Sequence, residues 1–261
     1  MFNQPVAASV DSPSPSVEDI LAQAHGASVN VSDDSLRKTA PFAEPELMTQ
    51  MSAEEHQVVL SKLKEFVRQP AGHLAKQDEL YLEQQLTDVL GVEVSAELDQ
   101  VRLPYSIGVM QAATHLRRYP TDVLVHHKEC LEAGIRNQRG FFGWFTDMGQ
   151  LTEQAVEKEQ YYIGVPAQLI SAESRSPQQL KEWFKFRKVV VLNPLQERGI
   201  TAVIGDCGPA GSFAQFTGSP EIMRHGQIWS PAAQGHVMVL FVNDPMNKLP
   251  LGPFSLSYDY H

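Results

Sequence analysis

Three runs in the second half of this chain are apolar at nearly every position: "KVVVLNP", "ITAVIGD" and "HVMVLFVND". A strand with one wet face alternates apolar and polar residues, because successive side chains point to opposite faces. Near-continuous β-branched runs therefore belong to strands buried on both faces, or to a sheet closed into a barrel. "GFFGWFTD" and "EQYYIGVPAQLI" extend the same texture, with Gly, Pro, Asn and Asp as punctuation. One helical insertion is expected in "SPQQLKEWFKF".

The first half reads differently. In "SAEEHQVVLSKLKEFVRQP", Ser52 is placed as an N-cap with Glu55 three residues on, a capping box. Val59, Leu60, Leu63, Phe66 and Val67 then share one stripe before Pro70. A second helix is expected from Gln77 to Leu90, with Gly91 at C′. Two further helices are expected, in "YSIGVMQAATHLRRYP" and in "TDVLVHHKECLEAG" from Thr121 to Gly134. Residues 1–50 are acidic and Ser/Pro-rich with little periodicity, which suits a flexible arm. The fold class that follows is α+β. The arm spans 1–50, a helical subdomain 51–135 and a barrel domain 136–261, with the boundary near 134–140.

Charge narrows the function classes. Residues 1–100 hold 6 Lys and Arg against 17 Asp and Glu, whereas residues 101–261 hold 15 against 14. An acidic first part lacks the basic footprint of a nucleic-acid binder. No apolar run approaches the roughly 18 residues of a membrane span, and the start lacks the basic and apolar regions of a signal peptide. Cys130 and Cys207 do not make a disulfide framework; pairing and free thiols both remain open. No nucleotide or dinucleotide motif is present, so no cofactor is expected. His126 and Cys130 would share one face of a helix, a spacing that can clamp zinc, but no second pair of matching spacing follows. No metal centre is expected.

The stretch "KVVVLNPLQERGITAVIGDCGP" carries the most specific signal. An apolar strand ends at Asn193, a turn spans Pro194 to Gly199, and a second strand leads into Asp206-Cys207-Gly208-Pro209. Together with "GFFGWFTD" as a first strand and "HVMVLFVND" as a closing strand, this resembles the double-psi β-barrel of the rare-lipoprotein-A-like and expansin-like superfamily. The resemblance covers about residues 138–245. It implies a six-stranded barrel, an extracytoplasmic setting and cell-wall polysaccharide as partner. Bacterial members bind peptidoglycan and some are lytic transglycosylases.

By that resemblance Asp206 takes the position of the catalytic acid. A single carboxyl group serves such a reaction: it protonates the leaving glycosidic oxygen, then accepts the proton of the sugar's own 6-hydroxyl as an anhydro ring closes. Read from the residues alone, the same Asp206 is turn chemistry, its side chain bonding backbone N–H groups. Trp144, Trp229, Thr217 and Glu173 are candidate substrate-binding residues, Glu173 standing where the family carries a histidine. Phe142 and Tyr162 are more natural as core, and Ser219 as the N-cap of a short helix opened by Pro220. The sequence thus supports two functions. One is binding, with cleavage, of wall glycan; the other is a non-catalytic barrel serving as a structural or protein-interaction module through the arm and helical half.

Overall fold

The computed structural model of the protein describes residues 52–146, 150–170, 175–209 and 213–257; the arm expected over 1–50 lies outside them. Two helices come first. Helix α1 (Ala53–Phe66) starts at the expected capping box, with Ser52 accepting from the Glu55 N–H and Glu55 reaching back to the Ser52 N–H. Helix α2 (Lys76–Leu90) ends at Gly91, whose φ of 64° is the left-handed C′ geometry. Strands β1 (Glu93–Ser95), β2 (Glu97–Leu98), β3 (Val101–Arg102) and β4 (Ile107–Ala112) follow.

Residues 105–120 were expected to be helical and are not. They form β4, which pairs antiparallel with β9 (His236–Asn243) and parallel with β8 (Phe216–Gly218). Pairing on both edges outweighs local periodicity. The barrel therefore takes a strand from before the expected boundary near 134–140. The helix expected over Thr121–Gly134 is also absent: two single 3-10 turns, Leu124–His126 and Leu131–Ala133, occupy it. Cys130 has a φ of 52° between them, so His126 and Cys130 share no helix face. "GFFGWFTD", expected as a strand, is a tight turn closed by a Gly140–Gly143 bridge.

The remaining elements are helix α3 (Glu153–Gln160), β5 (Tyr162–Val165), helix α4 (Pro177–Phe184), β6 (Lys188–Asn193), β7 (Arg198–Cys207), helix α5 (Pro220–His225) and β10 (Gly252–Ser255). Six strands close into a mixed barrel in the order β4-β8-β5-β7-β6-β9, with β1 added beside β9 and β10 beside β7. The class is α+β, helices followed by a closed six-stranded barrel, a topology compatible with a double-psi barrel. The "VVVLNPLQERGITAVIGD" stretch is the expected pair of strands, β6 and β7 in register from Lys188↔Val203 to Asn193↔Arg198.

Two apolar layers explain the unbroken runs. Val189, Val191, Ile200, Ala202, Val239 and Phe241 join residues of all six strands in the barrel interior. Their neighbours Val190, Leu192, Met238 and Leu240 face outward onto Leu60, Leu63 and Leu86 of α1 and α2. β6 and β9 are thus buried on both faces.

Close backbone approach fixes the end of β7. A Cβ on Gly208 would stand 2.6 Å from the Gly164 carbonyl oxygen and 3.0 Å from the Val165 nitrogen, both backbone atoms. Gly208→Ala should destabilise the protein by about 1–3 kcal/mol, the usual cost of overpacking. Urea denaturation of the variant checks this; an unchanged midpoint would show that the two strands separate freely.

Candidate functional site

Asp206 sits one residue before the end of β7. Between Ile163↔Ile204 and Gly164↔Asp206 the register with β5 slips, so Gly205 is a bulge that re-aims the aspartate. Gly140 packs against the Gly205 carbonyl, where a Cβ would stand only 2.8 Å away. That contact brings the 140–143 turn down onto β7. The Phe141 N–H then donates to Asp206 Oδ1 at 2.8 Å, and Arg136 Nη1 donates to Oδ2 at 2.7 Å. The Asp206 side chain is 6% exposed, the Arg136 side chain 45%.

A groove of about 490 Å³ opens beside this corner, walled by Phe141, Gln168, Ile170, Arg175, Leu180 and Lys181. The Lys181 ammonium lies 4.4 Å from the centre of the Phe141 ring. Gln168 ties the opposite wall to β7, accepting from the Cys207 thiol at 2.7 Å and donating to the Gly208 carbonyl at 3.4 Å. Cys130 and Cys207 are both free thiols.

The expected site residues scatter. Thr217 comes closest in the sheet to Asp206: Gly164 of β5 pairs with Asp206 on one side and Thr217 on the other. Trp144 is half-buried in the turn after Gly143, and neither it nor Thr217 lines the groove. Trp229 is 57% exposed, with its indole N–H donating to the Met110 carbonyl of β4, and it also lies outside the groove. Glu173 lies outside the described residues. Phe142 and Tyr162 are core, and Ser219 caps α5 by accepting from the Ile222 N–H.

Sequence reasoning missed a second constellation. His115 follows β4, Asp122 and His127 lie in the segment beyond it, Glu159 comes from α3, and Glu221 from the first turn of α5; all five are buried. His115 Nδ1 is 3.3 Å from Glu159 Oε1 and 3.8 Å from Glu221 Oε1, and His127 Nδ1 is 3.0 Å from Glu159 Oε2. Arg118 forks onto both oxygens of Asp122, at 2.8 and 3.0 Å. His115, His127 and Glu159 are close enough to ligate one metal ion, whereas His126 only joins the edge of the group through Asp122. The cluster and Asp206 are linked by backbone: the Arg136 N–H donates to the His115 carbonyl at 2.9 Å.

Burial and partners pull the charges of this cluster in opposite directions. Burial pushes the Glu221 carboxyl up to about 7, against the pull of His115. Burial also opposes charge on Asp122, but the hydrogen bonds and charge of Arg118 outweigh it and hold that carboxyl at about 2. In the same way Glu159 prevails over the desolvation of His115, which titrates above the ordinary imidazole range, while Glu159 itself is held below the ordinary carboxyl range. Burial lifts the Cys130 thiol to about 11, so it is no thiolate at neutral pH.

Comparison with family models, with curated proteins and with solved structures finds no match to this chain.

These shifts set a pH dependence. Between its ordinary 4.5 and about 7, Glu221 binds more proton in the folded than in the unfolded chain, so stability falls as pH rises through that window. His115 adds to the fall above 6.5, where its folded-state proton is lost. Asp122 acts at the other end, its contribution lost as pH falls from 3.8 towards 2. Chelator-treated protein should therefore be less stable at pH 7.5 than at pH 5, by an amount on the order of a few kcal/mol. Glu221→Gln should flatten that decline in paired denaturation curves; an unaltered slope would remove Glu221 as its source.

Proposed function

We propose that the chain is a glycan-binding barrel of the rare-lipoprotein-A-like and expansin-like kind, in which Asp206 positions the groove wall and does not cut the sugar. The observation that carries this reading is the double engagement of Asp206. One oxygen accepts from Arg136 and the other from the Phe141 N–H, so both oxygens are engaged in holding protein groups. What these bonds accomplish is placement: they hold Phe141 on the wall of the groove.

The composition of that wall supports a carbohydrate carrying acidic substituents. Phe141 offers an aromatic edge, Gln168 and Gln178 offer amides for hydroxyl and acetamido groups, and Arg175 and Lys181 offer cations for peptide-stem carboxylates. The resemblance of the β6–β7 stretch and of Asp206-Cys207-Gly208-Pro209 supplies the substrate class.

Incubation with purified peptidoglycan sacculi tests both halves of the proposal. The wild-type chain should co-sediment without releasing anhydro-muropeptides. Phe141→Ala and Lys181→Ala should each weaken binding by about tenfold, as for anchors at a binding surface. Release of anhydro products that Asp206→Asn abolishes would make Asp206 the acid of a transglycosylase instead. Folded protein that ignores sacculi altogether would point to the protein-interaction module.

A further inference from the structure

We propose that His115, His127, Glu159 and Glu221 bind one divalent transition-metal ion, zinc foremost, as a closed structural site. Geometry is the first argument. Zinc bonds of about 2.0–2.2 Å in a tetrahedron place neighbouring ligand atoms about 3.3–3.6 Å apart. Separations of 3.0, 3.3 and 3.8 Å among these groups lie around that spacing, the first two to different oxygens of Glu159. One ligand atom each of His115, His127 and Glu159 lie within 4.8 Å of one another.

Hydrogen bonding is the second. His115 Nε2 lies 3.1 Å from the Glu129 carbonyl and 3.3 Å from the Cys130 carbonyl, so this nitrogen carries the hydrogen. In the neutral ring Nδ1 then presents a lone pair towards Glu159, acceptor facing acceptor. A backbone carbonyl on the remote nitrogen is the arrangement that orients a ligating histidine. His127 Nε2 faces Asp122 Oδ2 at 3.3 Å, an ion-pair proximity without hydrogen-bond geometry, and Arg118 locks Asp122 in turn. Glu159 Oε2 and Glu221 Oε2, on fully buried side chains, have no hydrogen-bond partner among the described residues.

Charge is the third. Arg118 neutralises Asp122, which leaves two buried carboxyl groups facing two imidazoles. A divalent cation balances both carboxylates. Protonating both rings instead would put like charges on imidazoles whose centres are 4.4 Å apart in a dry interior. The remaining competitor is a single proton on His115 with Glu221 neutral. His115, His127 and Glu159 lie within reach of one ion and no described thiol joins them. With Glu221, 3.8 Å from His115, as the fourth donor, the proposed site is of the closed, structural kind, with N and O ligands only. It would fasten the segment after β4 to α3 and α5, and through the His115–Arg136 backbone bond to the wall of the groove.

The test uses the full chain, stripped with EDTA, returned to zinc chloride alone and passed through gel filtration. Mass-spectrometric metal analysis should find about one zinc per chain. The melting temperature should rise by about 5–10 °C when free zinc is a hundredfold above Kd. X-ray absorption should show nitrogen and oxygen donors without sulfur. Glu159→Gln and His127→Ala should lose affinity by roughly a hundredfold or more, and His126→Ala, on the exposed flank, should not. Folded wild-type protein that retains no zinc at saturating metal would overturn the site in favour of the proton. A sulfur donor, or His126→Ala losing as much as His127→Ala, would overturn this donor set. Should a variant fail to fold, wild-type stoichiometry and absorption still decide.

Discussion

Backbone pairing along both edges of β4 closes the barrel. Its first half bonds β9 antiparallel and its second half runs parallel to β8, so six residues join two strands that would otherwise be open edges. Closure has a topological consequence. The chain leaves β4 into some forty residues that, among those described, hold only two 3-10 turns as helix before α3. Such a segment has no continuous ladder, so buried side chains supplement scattered backbone bonds in satisfying its polar groups. Arg118, Asp122, His115 and His127 turn inward for that purpose, and Glu159 and Glu221 meet them from the barrel side.

Asp206 does comparable work on the other flank of that segment. Its two oxygens hold the Arg136 guanidinium and the Phe141 N–H, joining β7 to the turn that walls the groove. The bulge at Gly205 and the close packing of Gly140 serve the same placement.

Much of the fold was legible because its signals are local. The capping box at Ser52, Gly91 at a helix end and the β6–β7 hairpin depend on residues within a few positions of one another. β4 was illegible because Ile107, Met110 and the alanines after it fit a period near 3.6 as well as a period of two, and its partners lie beyond residue 215. Over 121–134 the helical pattern is real, but inward-turned His127 reaches Glu159, distant in sequence, while Asp122 is held by Arg118 before the segment, and no helix forms. The buried constellation was invisible for the same reason: its members run from His115 to Glu221 on four separate segments, so no spacing announces it. Asp206 was legible as a position at the end of an apolar strand, whereas its contacts were not, since Arg136 and Phe141 reach it from a loop without a strand pattern.

Trp229 turns barrel closure into an optical signal. Its indole is more than half in solvent, yet its N–H is anchored to the Met110 carbonyl in the middle of β4. Any movement of β4 away from β8 or β9 would change the hydrogen bonding of a solvent-facing fluorophore. The protein thus carries its own reporter at the seam where the sheet is joined, separate from the groove and from the buried histidines.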